Sequence, residues 1–379
     1  MEQANRVGVE TATWSPWSKN MNKTHGGNIW KIAKESGLKP ENILDFSASI
    51  NPLGLSQKAE MAIKDVISLL GHYPEPGAEA MRAELASYHN LPEENILAGN
   101  GSTEFIYLLP QIFRPKKTVV VEPSFSEYRN SLESFSCGIT SFNTKEDEGF
   151  VPDMTSLYSI IENGYDLVYL CNPANPSGVL LSRKDVLDVA GKCLKFGTIL
   201  VVDEAFVDFV EEESVKRDAI IMDNLIVIRS MTKFFSMAGL RLGYIIANQR
   251  LIKRFEAVKP PWSANTLAIL AGIESLKDVK YIKMTREWLQ HEMPLFIKGF
   301  NNISFLKVYP SRINYILVKI LLHGITAKYM QEELLKSGIF IRDCSSFAGL
   351  DSSFFRVAVR KREENKVLLD AVTSMLANL

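Results

Sequence analysis

The sequence predicts an α/β fold, with a large, mostly parallel sheet flanked by helices and a smaller α+β domain. Three observations carry this. Short, near-continuously apolar runs recur through the first two thirds of the chain, helix-like segments separate several of them, and the pattern changes after "KPPW" (259–262). The runs are "TVVVEP" (118–123), "DLVYLCNP" (166–173), "TILVVDEAF" (198–206), "NLIVIRS" (224–230) and "GYIIAN" (243–248). Runs without polar alternation suit strands covered on both faces, as in a parallel sheet. Between two of them, "SRKDVLDVAGKCLKFG" (182–197) repeats Val186, Leu187, Ala190 and Leu194 at helical spacing. Strand, helix, strand in this order argues for βαβ units.

Beyond 262 the sequence predicts a long helical region (263–300) and a strand pair within "ISFLKVYPSRINYILVKI" (303–320). A helix (325–337), "IFIRDC" (339–344), "FFRVAVR" (354–360) and a last helix (361–378) follow. This is the pattern of a smaller α+β domain. Residues 1–23 are polar and predict a leader segment without the apolar core of a signal peptide.

The 379 residues are enough for one large or two medium domains. A net charge of −1 gives no reason to expect nucleic acid or an anionic membrane as partner. No apolar run approaches the roughly 20 residues that span a bilayer. Four cysteines, Cys137, Cys171, Cys193 and Cys344, show no pairing or metal spacing, and five histidines form no ligand pattern. Buried thiols in a reducing, cytoplasmic setting and no metal are therefore expected.

Candidate site residues gather at the C-terminal ends of the expected strands, where open α/β sheets bind ligands. Asn172 and Asn175 follow one strand, Asp203 ends another, and Ser230 and Lys233 follow a third. Alone, Asp203 reads as a helix cap or surface acid. Read functionally, it is a buried carboxylate that needs a cationic partner, such as a protonated ring nitrogen. Lys233, set among Thr232, Phe234 and Phe235, reads as a loop lysine or as an amine whose depressed pKa permits a Schiff base. Ser230 and Arg241 on either side suit a phosphate. "AGNGSTEF" (98–105) places Gly99, Gly101, Ser102 and Thr103 before an apolar helical run, which reads as a plain turn or, with free N–H groups at a helix start, as an anion site.

"CNPANPSG" (171–178), "VVDEAF" (201–206) and "SMTKFFSMAGLRLGY" (230–244) together resemble the signature segments of fold-type I pyridoxal-phosphate enzymes, in the aminotransferase class I/II group. The resemblance runs from about His25 to Leu379. It implies a large cofactor-binding domain (54–258), a small domain (24–53 and 259–379) and pyridoxal 5'-phosphate as cofactor. By resemblance Lys233 would form the Schiff base and move protons. Asp203 would pair with the ring nitrogen, Asn175 would bond the 3-oxygen, and Phe125 would stack on the ring. Ser102, Thr103, Ser230 and Arg241 would hold the cofactor phosphate. Tyr73 would reach that phosphate from the other subunit of a homodimer, and Arg356 would clamp a substrate carboxylate. Phe206 stands where many relatives have tyrosine, so one hydrogen bond to the 3-oxygen is missing.

The cofactor motifs do not name the reaction. "THGGNIWKIAKESGLKPENILDFSASINPLG" (24–54) resembles the start of threonine-phosphate decarboxylases of the cobalamin pathway, which are close to histidinol-phosphate aminotransferases. Ser49 departs from the asparagine expected in many relatives. His25, Gly26, Gly27 and Asn28 offer a donor side chain, backbone N–H groups and an amide that, with Arg342, would then hold a substrate phosphate. The expected activity is decarboxylation of threonine phosphate or serine phosphate, with a class I/II aminotransferase as the alternative.

Overall fold

The structure, a computed structural model, describes residues 26–377. The leader 1–23 and His25 lie outside the described residues. Among the described residues thirteen strands occur in chain order. The first, β1 (Leu44–Asp45), is separated by two helices from a run of seven: β2 (Ile96–Gly99), β3 (Lys117–Glu122), β4 (Gly138–Asn143), β5 (Leu167–Cys171), β6 (Ile199–Asp203), β7 (Leu225–Ser230) and β8 (Gly243–Ile246). The last five are β9 (Leu306–Val308), β10 (Tyr315–Ile320), β11 (Ile339–Phe340), β12 (Arg342–Asp343) and β13 (Phe354–Ala358).

The seven strands form one sheet in the order β2-β8-β7-β6-β5-β3-β4. All pairs are parallel except those made by β8, which runs antiparallel to β2 and β7. The five apolar runs match β3, β5, β6, β7 and β8. The edge strands β2 and β4 carry weaker patterns and were not anticipated. Alternate residues feed two cores. Leu200, Val202 and Val227 join one, and Val201, Ile226 and Ile228 join the other, as the two-residue period of a strand requires.

The helix expected over 182–197 spans Arg183–Lys195. Ser182 caps it by accepting the Asp185 N–H at 3.2 Å. Its buried face is Val186, Val189, Ala190 and Cys193, whereas Leu194 is exposed. The stripe is thus rotated by about one residue from the sequence reading, because Cys193 takes the place assigned to Leu194.

The helical region after 262 divides into Thr266–Leu276 and Val279–Asn301, the first packing on Gln57–Val66 and Glu79–His89. A second sheet, β12-β13-β10-β9, is antiparallel, and β1 pairs in parallel with β11. The chain before the large sheet therefore pairs with the chain after it. Among the described residues no helix is long and apolar enough to cross a membrane, and all four cysteines are unpaired thiols.

Candidate active site

Asp203 is the last residue of β6 and Ser230 the last of β7. Their side chains open into a cavity of about 440 Å³ at the C-terminal edge of the parallel strands. Lys233 enters from the turn after β7. Asn51 pins that turn: its backbone N–H donates to the Lys233 carbonyl at 3.1 Å and its side-chain amide to the Phe234 carbonyl at 2.9 Å. Burial, and then the nearby charges of Arg356 and Arg241, push the half-buried Lys233 amine down to about 8, while Asp203 opposes them. An amine so placed is far more often neutral near pH 7 than an ordinary lysine.

One end of the cavity is an anion cradle. Gly101 precedes the helix Ser102–Phe113 in a left-handed conformation (φ 77°). A side chain there would lie 2.8 Å from Arg241 Nη2, so only glycine lets the guanidinium stand over the helix N-terminus. Ser102, Thr103 and Ser230 line the same end. The Ser230 and Thr232 hydroxyls lie 2.8 Å apart. Arg241 is exposed at the mouth of the cavity, where its Nη1 donates to the Ala238 carbonyl at 3.1 Å.

Asp203 sits at the opposite end, 4% exposed. Burial pushes its carboxyl upward, opposed by the Tyr128 hydroxyl, the Ala205 N–H and the Lys233 charge. Phe125 lines the cavity beside it. Phe206 packs edge-on against Tyr315, ring centroids 5.0 Å apart, and its ring faces Lys233 Nζ at 5.9 Å.

The small antiparallel sheet supplies the roof. Arg342 on β12 and Arg356 on β13 are directly opposite in register, and both are buried (8% and 7% exposed). Like charges facing each other across a sheet are destabilising unless an anion joins them. Arg356 donates through Nη2 to the Ser47 carbonyl at 2.9 Å and through Nη1 to the Asn175 side-chain oxygen. Its Nε has no hydrogen-bond partner among the described residues. Arg342 donates to the Ser346 hydroxyl at 3.0 Å. Asn175 is thus turned toward Arg356.

Two expected positions stand elsewhere. Asn28 is exposed, and its side chain accepts the Lys31 N–H at 3.1 Å as the N-cap of the helix Ile29–Ser36. The Gly27 N–H is not free, because it donates to the Ser47 hydroxyl at 2.7 Å. Gly26, rather than either, lines the cavity. An asparagine preceding a helix finds its orphan N–H groups first, which is the local reason for the difference. Tyr73 is 85% exposed, its ring tilted against Trp262 with centroids 5.4 Å apart, and does not line this chain's cavity. The sequence reading missed Ser47 and Tyr128. Tyr128 lies three residues after Phe125, one helical turn on, and that spacing was its only signal.

A cavity lined by Arg241, Arg342 and Arg356, with a depressed amine and a buried carboxylate, suits a small polyanion that carries a carbonyl or an amine. Comparison with known proteins agrees. The threonine-phosphate decarboxylase of Salmonella typhimurium is 36% identical over 361 residues, covering 94% of this chain and 98% of that protein. Two solved structures superpose closely. The L-threonine-O-3-phosphate decarboxylase of Porphyromonas gingivalis has a TM-score of 0.78 at 30% identity, over 88% of this chain and 99% of that one. The histidinol-phosphate aminotransferase of Clostridium acetobutylicum has a TM-score of 0.82 at 31% identity, over the same shares. The model of the family "Aminotransferase class I and II" matches residues 41–372, and the chain belongs to that family.

Proposed function

We propose that this protein is a pyridoxal-phosphate-dependent decarboxylase of L-threonine O-3-phosphate or L-serine O-phosphate. The observation that carries the reading is the buried Arg342–Arg356 pair facing Lys233. A substrate with a carboxylate at one end and a phosphate at the other suits a cavity lined by two arginines, and Arg356 Nε has no hydrogen-bond partner among the described residues. The relatedness to threonine-phosphate decarboxylases favours this chemistry.

The residues fit the cofactor. Ser102, Thr103, Ser230 and Arg241 would hold its phosphate over the helix N-terminus that Gly101 leaves open. Asp203 would face its ring nitrogen, Phe125 its ring, and Asn175 its 3-oxygen, and Lys233 would hold its carbonyl carbon. When bound, pyridoxal phosphate supplies a carbonyl that condenses with amines and a protonated ring that accepts an electron pair.

The chain's own residues then direct which bond breaks. Arg356 holds the substrate carboxylate and fixes the direction of the Cα–carboxylate bond. Arg342 binds the phosphate, and that remote binding orients the reacting carbon. The Cα–carboxylate bond breaks, carbon dioxide leaves, and its electron pair remains with the carbon. Lys233 in its protonated form donates the proton that this carbon gains and is left as the neutral amine. Asp203 keeps the ring nitrogen's proton in place by electrostatic stabilisation.

Tyr73 and the mouth of the cavity support a homodimer. Arg241 is exposed at that mouth, and the Tyr73–Trp262 pair forms an apolar surface on the same chain. In a twofold dimer the partner subunit's Tyr73 would close the phosphate end. The unpaired cysteines suit a reducing, cytoplasmic setting.

The test is to give the cofactor-loaded protein threonine phosphate and measure carbon dioxide. Catalytic release without any oxo-acid is expected. No release, together with conversion of histidinol phosphate only when an oxo-acid is added, would establish the aminotransferase reading, which the Clostridium acetobutylicum structure favours.

A further inference from the structure

We propose that Tyr128 is a positioning residue for Asp203 and, through it, keeps the proton on the ring nitrogen that Asp203 faces. The inference rests on the cofactor reading above.

Each oxygen of the buried Asp203 carboxylate has one donor from the protein. The Ala205 N–H reaches Oδ1 at 2.9 Å, and the Tyr128 hydroxyl reaches Oδ2 at 2.7 Å. The remaining lone pairs are available to the cavity. Tyr128 comes from the helix Ser126–Ser134 and is 1% exposed. Its ring stacks on Tyr169 of β5, centroids 4.9 Å apart and planes 9° apart. Phe125 meets it edge-on at 5.9 Å and 86°. The hydroxyl is therefore held on one line. Cys171, opposite Asp203 in the β5–β6 register, has its thiol pushed up to about 12 by burial and by Asp203. It stays neutral and adds no charge. Burial also drives the Tyr128 hydroxyl far above its ordinary range, so it remains a donor at any working pH.

A carboxylate that accepts a strong hydrogen bond is a weaker base. When Asp203 shares a proton with a ring nitrogen, the Tyr128 bond shifts that proton toward the ring. Without the hydroxyl, Asp203 takes more of the proton, and the ring accepts an electron pair less well. Phe125 and Asp203, expected at the face and edge of the ring, both lean on this one side chain.

The experiment uses the full-length protein. Holoenzyme of wild type and Tyr128→Phe is loaded with ¹⁵N-labelled cofactor, and the ring-nitrogen shift is read by NMR. It should move toward the unprotonated value in the variant. kcat should fall about 10- to 100-fold with KM within about twofold, the scale of one hydrogen bond to a charged group. A fluorotyrosine placed at position 128 keeps the shape and strengthens the donor, and it should move the shift in the opposite direction. If Tyr128→Phe misfolds, the fluorotyrosine series alone decides. A purely packing role predicts that fluorotyrosine leaves the nitrogen shift unmoved, and that result overturns the proposal. Titration of the Asp203 carboxyl in the cofactor-free chain separates the two readings. An upward shift in Tyr128→Phe with no turnover of any phosphoamino acid sustains the Tyr128 role and sinks the decarboxylase. An unmoved carboxyl sinks the Tyr128 role whatever the substrate.

Discussion

Two charged clusters lie back to back on the same two strands. Asp203 and Ser230 face the cavity, and their neighbours Glu204 and Arg229 face the other way. Behind the sheet, Arg229 is wholly buried and ringed by carboxylates: Glu204 at 3.1 Å, Asp208 at 2.8 Å and Glu211 at 2.7 Å. Ser214 accepts a further bond at 3.2 Å, and Lys216 pairs with Glu211. Burial raises Glu211, but Arg229 and Lys216 outweigh it and hold the carboxyl at about 2. Burial lifts Glu204 to about 7 even against the pull of Arg229. His89, held neutral by burial and by Arg229 and Lys216, bonds the Tyr244 hydroxyl at 2.7 Å. On the cavity side, no ion pair to a carboxylate joins Lys233, Arg241 or Arg356 among the described residues. The back cluster balances its charge within the protein, with only Arg229 Nε lacking a hydrogen-bond partner among the described residues, whereas the three cations of the front meet no carboxylate there. Cations that gather around a cavity without a carboxylate mark a binding site, and charges enclosed by opposite charges mark structure.

Substitutions on the two sides should therefore fail differently. Lys233→Ala should cost turnover about 10⁴-fold or more, since it removes both the carbonyl-holding amine and the proton donor. The cofactor-free chain should melt no lower than wild type, because a depressed buried cation is gone. Retained turnover in a kinetic assay would refute the assignment. Arg229→Met should do the reverse, losing about 3–5 kcal/mol in urea unfolding by stranding buried carboxylates. A loss under about 1 kcal/mol would mean that the back cluster is not held by its arginine. Arg356→Lys should raise KM about 10-fold, because an ammonium cannot reproduce the two-pronged grip, while cofactor affinity changes little. An equal loss of cofactor affinity would place Arg356 with the cofactor instead of the substrate.

The smallest effect is on pH dependence. A lysine whose pKa is lowered is protonated below the new value and neutral above it. The rate at which cofactor-free protein captures pyridoxal phosphate should thus rise with pH and level off above about 8. In Arg356→Met one of the repelling charges is absent, so the midpoint should move upward. A wild-type midpoint at the ordinary lysine value would remove the electrostatic argument for the front cluster.

Local strings made much of the fold and half of the site legible. The strands β3, β5, β6, β7 and β8 are unbroken apolar runs, and Asp203, Ser230, Lys233 and Arg241 follow their ends at short range. Edge strands β2 and β4 were harder: β2 is buried but only four residues long and ends in glycine, whereas β4 mixes polar with apolar residues and is largely half-exposed. Asn28 was read as a ligand where its nearest unsatisfied groups were those of its own helix. Tyr128 and Asp203 are 75 residues apart and Ser47 and Arg356 309 apart, and no local pattern links such pairs.

Sequence alone determined the doubly covered sheet, because hydrophobic periodicity is written in order along the chain, and its signature segments carried the resemblance to the family and its cofactor. Only the tertiary structure decided which charges meet. It turned Glu204 and Arg229 into a closed network, set Arg342 across from Arg356, and aimed Tyr128 at Asp203. Electrostatic pairing depends on distance and burial, and both arise only when strands and helices far apart in sequence are packed together.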